Sequence, residues 1–280
     1  MPLVRMKPQD NGEQWSIIAM AGHVLWKASA ILDLKDLSHH LTQYFNDSTL
    51  HITKLETGIN DSHKAVILSR DSEITIAFLG SSGSEIHMNT WHLAKNPGIF
   101  SIPFERRDGG NLVHSFYFDM WKGMEAAAKQ AISDAVARLK ERGKKPEKII
   151  VCGFSMGGGV SSLAFTDILN HVRNTFGSGS ANRESWAEDR NLSSLIQHIT
   201  FAEYPAADMG YHTILNHTYG NYQIPAWDFV NHRDQTSWLH IPHFKSWRGH
   251  RYILPAAVVD PVAPTFGKQC HNIEGYAKAA

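Results

Sequence analysis

The sequence predicts an α/β fold in which a central, mostly parallel sheet is flanked by helices. Two neighbouring segments favour this class. Residues 118–142 carry apolar side chains at helical spacing, and the pattern ends at Gly143. The short β-branched run 148–152 follows, and a glycine-rich turn leads from it into a second helical pattern that starts near Val160. This order of helix, strand, tight turn and helix is typical of parallel strands covered by helices.

The remaining elements are predicted from the same two periodicities. Residues 1–50 form an N-terminal helical segment, because apolar side chains recur at helical spacing from Asp10 to about Asn46. Short runs rich in β-branched and aromatic residues predict further strands at residues 63–69, 73–79, 197–202, 225–231 and 251–255. A polar, glycine- and serine-rich stretch at 174–191 predicts a loop, and one more helix is expected at the C-terminus. Since no linker or repeat divides the sequence, we expect a single domain over residues 1–280.

Composition excludes several classes of partner. The chain has 27 Lys and Arg against 27 Asp and Glu, so it has no basic excess with which to bind nucleic acid or an anionic membrane. No segment is long and apolar enough for a transmembrane helix, and acidic residues ahead of the first apolar run make a poor signal peptide. The cytoplasm is therefore the default expectation for location, although export by another route or removal of a signal would leave the same chain. No histidine pair has a compact ligand spacing with supporting carboxylates, so we expect no metal and no other cofactor. The sequence defines no oligomeric state.

Residues 153–157 read Gly-Phe-Ser-Met-Gly and match the strand-to-helix turn that presents a nucleophilic serine above a parallel sheet. The predicted strand leads into this turn and the predicted helix leads out of it. Gly158 and Gly159 let that helix lie close to the sheet, and a helix N-terminus favours negative charge that develops beside it. Ser155 is therefore the candidate nucleophile.

A serine nucleophile needs a base and a third group that orients the base, and in this fold the acid and then the histidine follow the serine along the chain. Asp234 comes just after the predicted strand 225–231, where its carboxylate would lie at the same edge of the sheet as Ser155. Asp228, inside that strand, and Asp260, in a proline-flanked loop, are the alternative acids. The candidate bases are His240, His243, His250 and His271, and spacing alone does not choose among them.

Six blocks of sequence together resemble the fungal-type triacylglycerol lipases, the class 3 lipase family of the α/β-hydrolase superfamily. The resemblance extends over about residues 60–278 and rests on residues 77–81, 113–116, 150–158, 199–201, 229–234 and 271–276. In that family an oxyanion residue follows a glycine at the end of a strand, the acid ends a Val-Val-Asn-x-x-Asp stretch, and the base opens a block near the C-terminus. The resemblance therefore implies that Ser81 is an oxyanion residue, Asp234 the acid and His271 the base.

The sequence departs from the family pattern around the nucleophile. The family usually has histidine before the serine and leucine after it, where this chain has Phe154 and Met156, and it has Leu79 where an arginine commonly precedes the oxyanion glycine. None of these changes removes a catalytic atom. We expect Phe154 to change the packing beneath Ser155.

These assignments predict a serine ester hydrolase that acts on acylglycerols or other lipid esters through an acyl-enzyme, with Ser81 and Met156 offering backbone N–H groups to the oxyanion. The family carries a mobile lid between the oxyanion strand and the long helix, which corresponds to residues 86–107. Its apolar members, which could cover the site or meet a lipid surface, are Met88, Trp91, Phe100, Ile102 and Phe104. The expected partners are thus a lipid or ester substrate and a transient lipid interface.

Two other functions are compatible with the same residues. An acyltransferase would use the same triad to pass the acyl group to an alcohol, and a lipase-like binding protein would keep the scaffold without the reaction. An intact Ser155, Asp234 and His271 argues against the binding protein. Cys152 and Cys270 are both predicted near the site, as free thiols rather than a disulfide, and His114 is predicted to be structural because it precedes the nucleophile.

Overall fold

The structure is a computed structural model that describes residues 12–56, 63–81, 104–107, 111–181, 183–234, 251–254 and 271–279. A seven-stranded sheet contains β1 (His51–Glu56), β2 (His63–Arg70), β3 (Glu73–Phe78), β6 (Lys148–Phe154), β7 (Ile196–Phe201), β8 (Ala226–Asn231) and β9 (Arg251–Leu254), in that spatial order. A separate antiparallel pair is formed by β4 (Phe104–Arg107) and β5 (Asn111–His114). The described helices are α1 (Gly12–Ala30), α2 (Leu34–Phe45), α3 (Ser115–Glu141), α4 (Met156–Thr175), α5 (Leu192–Leu195), α6 (Met209–Tyr222) and α7 (Ile273–Ala279).

The large sheet is mostly parallel, which confirms the predicted fold class. β1, β2 and β3 are joined antiparallel, and β3, β6, β7, β8 and β9 then run parallel to one another. The register pairs Phe78 with Gly153 and Phe154 with Phe201. The carboxyl ends of β3, β6 and β7 therefore meet at one edge of the sheet, which is where parallel α/β sheets place their ligands.

Helices bury both faces of this sheet. Ile149 and Val151 of β6 belong to an apolar cluster with α3, α4 and α6, whereas Ile150 and Cys152 belong to a second cluster with α1, α2 and α7. Successive side chains of a strand point to opposite faces, so a continuous apolar run such as that of β6 is buried on both sides. This explains why the short run at 148–152 lacks the alternation of a half-exposed strand.

Five of the described strands and α-helices were not predicted from the sequence, namely β1, β4, β5, α5 and α6. β1 has only Ile52 and Leu55 buried and lacks clean alternation. β5 is a four-residue strand, and its partner β4 occupies the last residues of the segment 86–107 that was predicted as a lid. α6 has a weak apolar stripe, and its start is fixed locally by Asp208, whose side chain accepts a hydrogen bond from the backbone N–H of Tyr211 at 2.9 Å.

The predicted loop at 174–191 is compact. Two single-turn 3₁₀ helices, Ser185–Ala187 and Asp189–Asn191, lie within it, and Trp186 is buried in the core. A two-point contact between Arg173 and Asp189, at 2.9 and 3.0 Å, holds the loop to the end of α4. Of the helices in the described ranges, none combines the length and apolar character required to cross a membrane.

Candidate active site

The turn between β6 and α4 holds Ser155 in a strained conformation. Its backbone has φ 56° and ψ −121°, a region that costs a residue with a side chain about 1–3 kcal/mol. The surrounding structure holds it there, because the Ser155 N–H donates to the Phe201 carbonyl at 2.9 Å and the Ser155 carbonyl accepts from the N–H of Tyr204 at 3.2 Å. The side chain is thereby presented at the carboxyl edge of the sheet.

Glycines flank Ser155 because the chain passes very close to other backbone. A Cβ at Gly153 would lie 2.3 Å from the carbonyl oxygen of Gly157. A Cβ at Gly157 would lie 2.2 Å from the carbonyl oxygen of Phe78 and 2.3 Å from that of Leu79. Any other residue at either position would displace main chain, so both glycines of the predicted turn are required by packing.

The structure brings the predicted serine, histidine and aspartate into one hydrogen-bonded chain. Ser155 Oγ lies 2.7 Å from His271 Nε2, and His271 Nδ1 lies 2.9 and 3.1 Å from the two carboxylate oxygens of Asp234. Donation from Nδ1–H to the carboxylate leaves Nε2 as the acceptor of the serine proton. Ser155 and Asp234 are buried, and the His271 side chain is 14% exposed. This geometry suits transfer of the hydroxyl proton from serine to histidine.

Tyr276 supports the carboxylate from below. Its hydroxyl donates to Asp234 Oδ2 at 2.7 Å and accepts from the backbone N–H of Asn231 at 2.8 Å. Burial, followed by the charge of Asp234, raises the pKa of Tyr276 well above its ordinary value, so the hydroxyl remains a donor. Sequence reasoning assigned no role to Tyr276, although it ends the block 271–276 on which the resemblance partly rests.

Phe154 packs directly against the histidine ring. The two rings are stacked, with centroids 4.9 Å apart and an interplanar angle of 29°. Gly80 makes room for this phenylalanine, because a Cβ there would lie 2.8 Å from its ring. Phe154, which stands where the family usually has histidine, therefore places an apolar ring beside His271.

Of the two predicted oxyanion residues, Met156 follows Ser155 directly in the chain, and the backbone just before Ser81 lies against the Ser155 turn. Met156 is the first residue of α4, a position whose N–H has no partner within the helix. Ser81 comes two residues after Leu79, whose carbonyl lies against Gly157. Both are therefore adjacent to the segments that enclose Ser155.

The structure removes one alternative acid. Asp228 is fully buried and receives the guanidinium of Arg251, with Nε 2.7 Å from Oδ2, so its carboxylate is committed to that ion pair. The other alternative acid and bases lie outside the described residues: Asp260, His240, His243 and His250. The predicted lid residues Met88, Trp91, Phe100 and Ile102 also lie outside them, and Phe104 begins β4.

The other predicted features are only partly described. Cys152 is a buried free thiol whose pKa is raised by burial, while Cys270 lies outside the described residues. His114 stacks on Tyr117 at 4.4 Å between ring centroids, and its backbone N–H donates to Ala206 at 2.8 Å. Within the described ranges, no three His, Cys, Asp or Glu side chains are grouped so that they could hold a metal ion.

Comparison with known proteins found one matching family and several solved structures with a similar fold. The family model described as Lipase (class 3) matches residues 75–241. A deletion mutant of the Rhizomucor miehei lipase propeptide complex is similar in structure, with a TM-score of 0.58 and 19% identity over 91% of this chain and 73% of that chain. A lipase from Rhizopus microsporus var. chinensis has a TM-score of 0.54 and 16% identity over 85% of this chain and 74% of that one.

A mutant of MDLA from Penicillium cyclopium has a TM-score of 0.54 and 13% identity over 93% of this chain and 85% of the other. A further neighbour, at a TM-score of 0.55 and 18% identity over 83% of this chain and 75% of that chain, is described as a triacylglycerol lipase whose catalytic centre is a serine protease triad. No curated protein matches the sequence. At these identities the structural neighbours establish the fold, and the match over residues 75–241 establishes the family.

Proposed function

Because the chain belongs to the class 3 lipase family and is a carboxylic ester hydrolase, we propose that Ser155, His271 and Asp234 are its catalytic triad and that it hydrolyses lipid esters such as acylglycerols. The observation that carries this proposal is the hydrogen-bonded chain from Ser155 Oγ through His271 to Asp234, with contacts of 2.7 and 2.9 Å. Ser155 was predicted from its turn, and Asp234 and His271 were implied by the family resemblance.

The proposed reaction proceeds in two halves. Ser155 Oγ attacks the ester carbonyl while His271 Nε2 takes its proton, and Asp234 stabilises the imidazolium that forms. His271 then gives the proton to the departing alcohol, which leaves an acyl-enzyme. A water molecule attacks this acyl group with His271 again as base, and the acid product leaves as Ser155 regains its proton.

The oxyanion formed in each half is assigned to the backbone N–H groups of Met156 and Ser81. The N-terminus of α4 contributes a partial positive charge at the same place. Loss of one such donor typically lowers kcat by about 10²–10³. The hydroxyl of Ser81 is a candidate third donor.

The substrate side of the proposal rests on the family. A neighbour described as a model for interfacial activation in lipases is a fungal lipase–inhibitor complex with a TM-score of 0.54. By analogy, the segment 86–107 is proposed as a lid whose apolar side chains cover the site in water and contact a lipid surface when open. An acyl acceptor other than water would make the protein an acyltransferase, which product analysis distinguishes.

We also propose that the N-terminal helices belong to the same domain as the site. α1 packs on α7, the helix that follows His271, so closely that a Cβ at Gly22 would lie 3.1 Å from Cα of Ala277. Residues of α1, α2 and α7 share one apolar cluster with β6 and β7. Removal of α1 and α2 is therefore expected to unfold the protein rather than release an independent unit.

The test is a series of p-nitrophenyl esters from acetyl to palmitoyl, given to wild type, Ser155→Ala, Asp234→Ala and His271→Ala. His217→Ala, an exposed histidine on α6, is the matched control. We expect the folded triad variants to lose activity by roughly 10⁴-fold or more and the control to keep it. The chain-length optimum separates esterase from lipase. Activity that survives in folded Ser155→Ala would refute the mechanism.

A further inference from the structure

Charged residues that the proposed reaction does not use are buried beneath the Ser155 turn. Glu203, just after β7, and Asp228, in β8, are fully buried, and the Arg251 side chain in β9 is 11% exposed. Burial of charge is costly unless it is paired and hydrogen-bonded. A cluster of this kind in the core therefore calls for an explanation beyond stability.

Asp228 satisfies every bonding direction of its carboxylate. Oδ1 accepts from the Thr200 hydroxyl at 3.0 Å and from the backbone N–H of Glu203 at 3.1 Å, and Oδ2 accepts from Arg251 at 2.7 Å (Nε) and 2.6 Å (a terminal nitrogen). The carboxylate thus ties the chain that leaves β7 to the edge strand β9. Both guanidinium contacts fall on Oδ2 while Oδ1 is held by Thr200 and Glu203, so the two oxygens are fixed from different sides.

The segment that Asp228 holds is the one that holds the nucleophile. In the segment 201–204, the Phe201 carbonyl accepts a hydrogen bond from the Ser155 N–H, and the Tyr204 N–H donates to the Ser155 carbonyl. The turn is itself strained, since Ala202 has φ 50°, and its N–H is tied to Phe229 at 2.8 Å. A strained turn persists only when its surroundings over-determine it.

Glu203 fixes the same turn to helix α4. Its Oε1 accepts a hydrogen bond from the Ser162 hydroxyl at 2.8 Å. A Cβ at Gly158 of α4 would lie 3.1 Å from the Cα of Glu203 and 3.2 Å from its Cβ. Burial and the neighbouring Asp228 charge raise the pKa of Glu203 well above its ordinary value. The raised pKa favours the protonated form of Glu203 beside the carboxylate of Asp228, which faces the guanidinium of Arg251.

We propose that Asp228, oriented by Arg251, is a positioning residue that sets the backbone geometry of Ser155 through the turn 201–204. The inference rests on the proposed function, because it concerns the same nucleophile. Its physical content is a relay of hydrogen bonds from the edge of the sheet to both polar backbone groups of the nucleophile. Small displacements of a nucleophile are enough to lower the rate greatly.

The test compares Asp228→Ala with Asp189→Ala. Both substitutions break an Arg–Asp pair with two contacts, but Asp189 pairs with Arg173 at the surface loop, away from the Ser155 turn. For the folded fraction, established by circular dichroism and thermal unfolding, we measure kcat and KM for one p-nitrophenyl ester and the rate of inactivation by a fluorophosphonate. We expect Asp228→Ala to lower kcat and the inactivation rate roughly 10- to 100-fold with KM unchanged, and Asp189→Ala to leave all three within about two-fold.

Arg251→Lys keeps the positive charge but loses the two-point contact, so it carries the test if Asp228→Ala does not fold. We expect it to lower kcat several-fold without a change in KM. Wild-type values of kcat in folded Asp228→Ala, or in Arg251→Lys where Asp228→Ala does not fold, would overturn the inference while leaving the triad intact. A wild-type protein inert to both ester and fluorophosphonate would instead refute the proposed function.

Discussion

Replacement of Tyr276 by phenylalanine removes a hydroxyl that is hydrogen-bonded twice at the site. The hydroxyl donates to Asp234 Oδ2 at 2.7 Å and accepts from the Asn231 N–H at 2.8 Å, and all three residues are buried. The substitution keeps the ring and its packing against Phe154 and Phe201. It therefore isolates the contribution of the two hydrogen bonds.

The expected cost follows from those two bonds. A hydrogen bond to a charged group contributes about 1.5–3 kcal/mol, and a buried N–H left without a partner costs about 1–3 kcal/mol. Because the two effects share one group and partial relaxation occurs, we expect a combined loss of about 2–4 kcal/mol in the free energy of unfolding. For a chain of this size that lowers Tm by roughly 3–7 °C. Asp234 keeps its contacts with His271, so we expect kcat to fall only about 10-fold, far less than in Asp234→Ala.

Thermal and urea unfolding measure the stability, and hydrolysis of a p-nitrophenyl ester measures kcat. Tyr252→Phe is the matched control, because Tyr252 packs in the same apolar cluster at 5.7 Å from Phe229 but is partly exposed. We expect this control to change stability by less than about 0.5 kcal/mol. If Tyr276→Phe is as stable as Tyr252→Phe, the reasoning about the shared hydroxyl is wrong.

Three further predictions concern other parts of the molecule. Gly157→Ala places a methyl 2.2 Å from the Phe78 carbonyl oxygen, so we expect the variant to lose several kcal/mol of unfolding free energy and its activity. Gly220→Ala on α6, whose added Cβ would have nothing within 4 Å, should stabilise the protein by about 0.5–1 kcal/mol. Thermal unfolding of the two variants tests this. Burial raises the pKa of Glu203, so the stability that this residue contributes is present below its unfolded-state pKa and is lost as pH rises toward its folded-state pKa. In urea unfolding, Glu203→Gln should therefore gain stability relative to wild type between about pH 5 and pH 8. An equal difference in unfolding free energy at both pH values would contradict this. Burial lowers the pKa of His23 to about 4. Wild type should therefore lose roughly 1 kcal/mol of unfolding free energy, after solvent screening, as pH falls from about 6.5 toward 4. His23→Phe keeps an aromatic ring stacked on Tyr44 and should reduce that loss in acid-unfolding curves.

Much of the fold could be predicted from local sequence patterns. The helical spacing of residues 118–142 predicted α3, which begins three residues earlier, at Ser115, and the apolar run 148–152 predicted β6. α3 is long and strongly periodic, and β6 is a continuous apolar run that is buried on both faces, so the burial of each segment matches its own pattern. β1, β5 and α6 fail this condition. β1 pairs with β2 and β5 with β4, both close in sequence, but neither strand alternates cleanly between buried and exposed side chains. The apolar stripe of α6 is weak, so packing rather than local pattern defines these elements.

The candidate site divides in the same way. The strained turn at Ser155 could be predicted from the sequence, because its two glycines and the flanking strand and helix are local features. The choice of His271 and Asp234 depended on family resemblance, since the residues alone left several acids and bases open. The hydrogen bond between Ser155 and His271 joins residues 116 positions apart, a relation that no local pattern encodes.

The supporting residues were invisible to sequence reasoning. Tyr276, Glu203 and Arg251 carry polar groups that are common on protein surfaces, and only the packing of β7, β8, β9 and α7 brings them against the buried carboxylates of Asp234 and Asp228. Sequence by itself determined the Ser155 turn and the class of fold, because the glycines of the turn and the apolar periodicity of its neighbours are local features. Only the tertiary structure decided what lies beneath that turn, because burial and hydrogen bonding between distant segments arise once the sheet has formed.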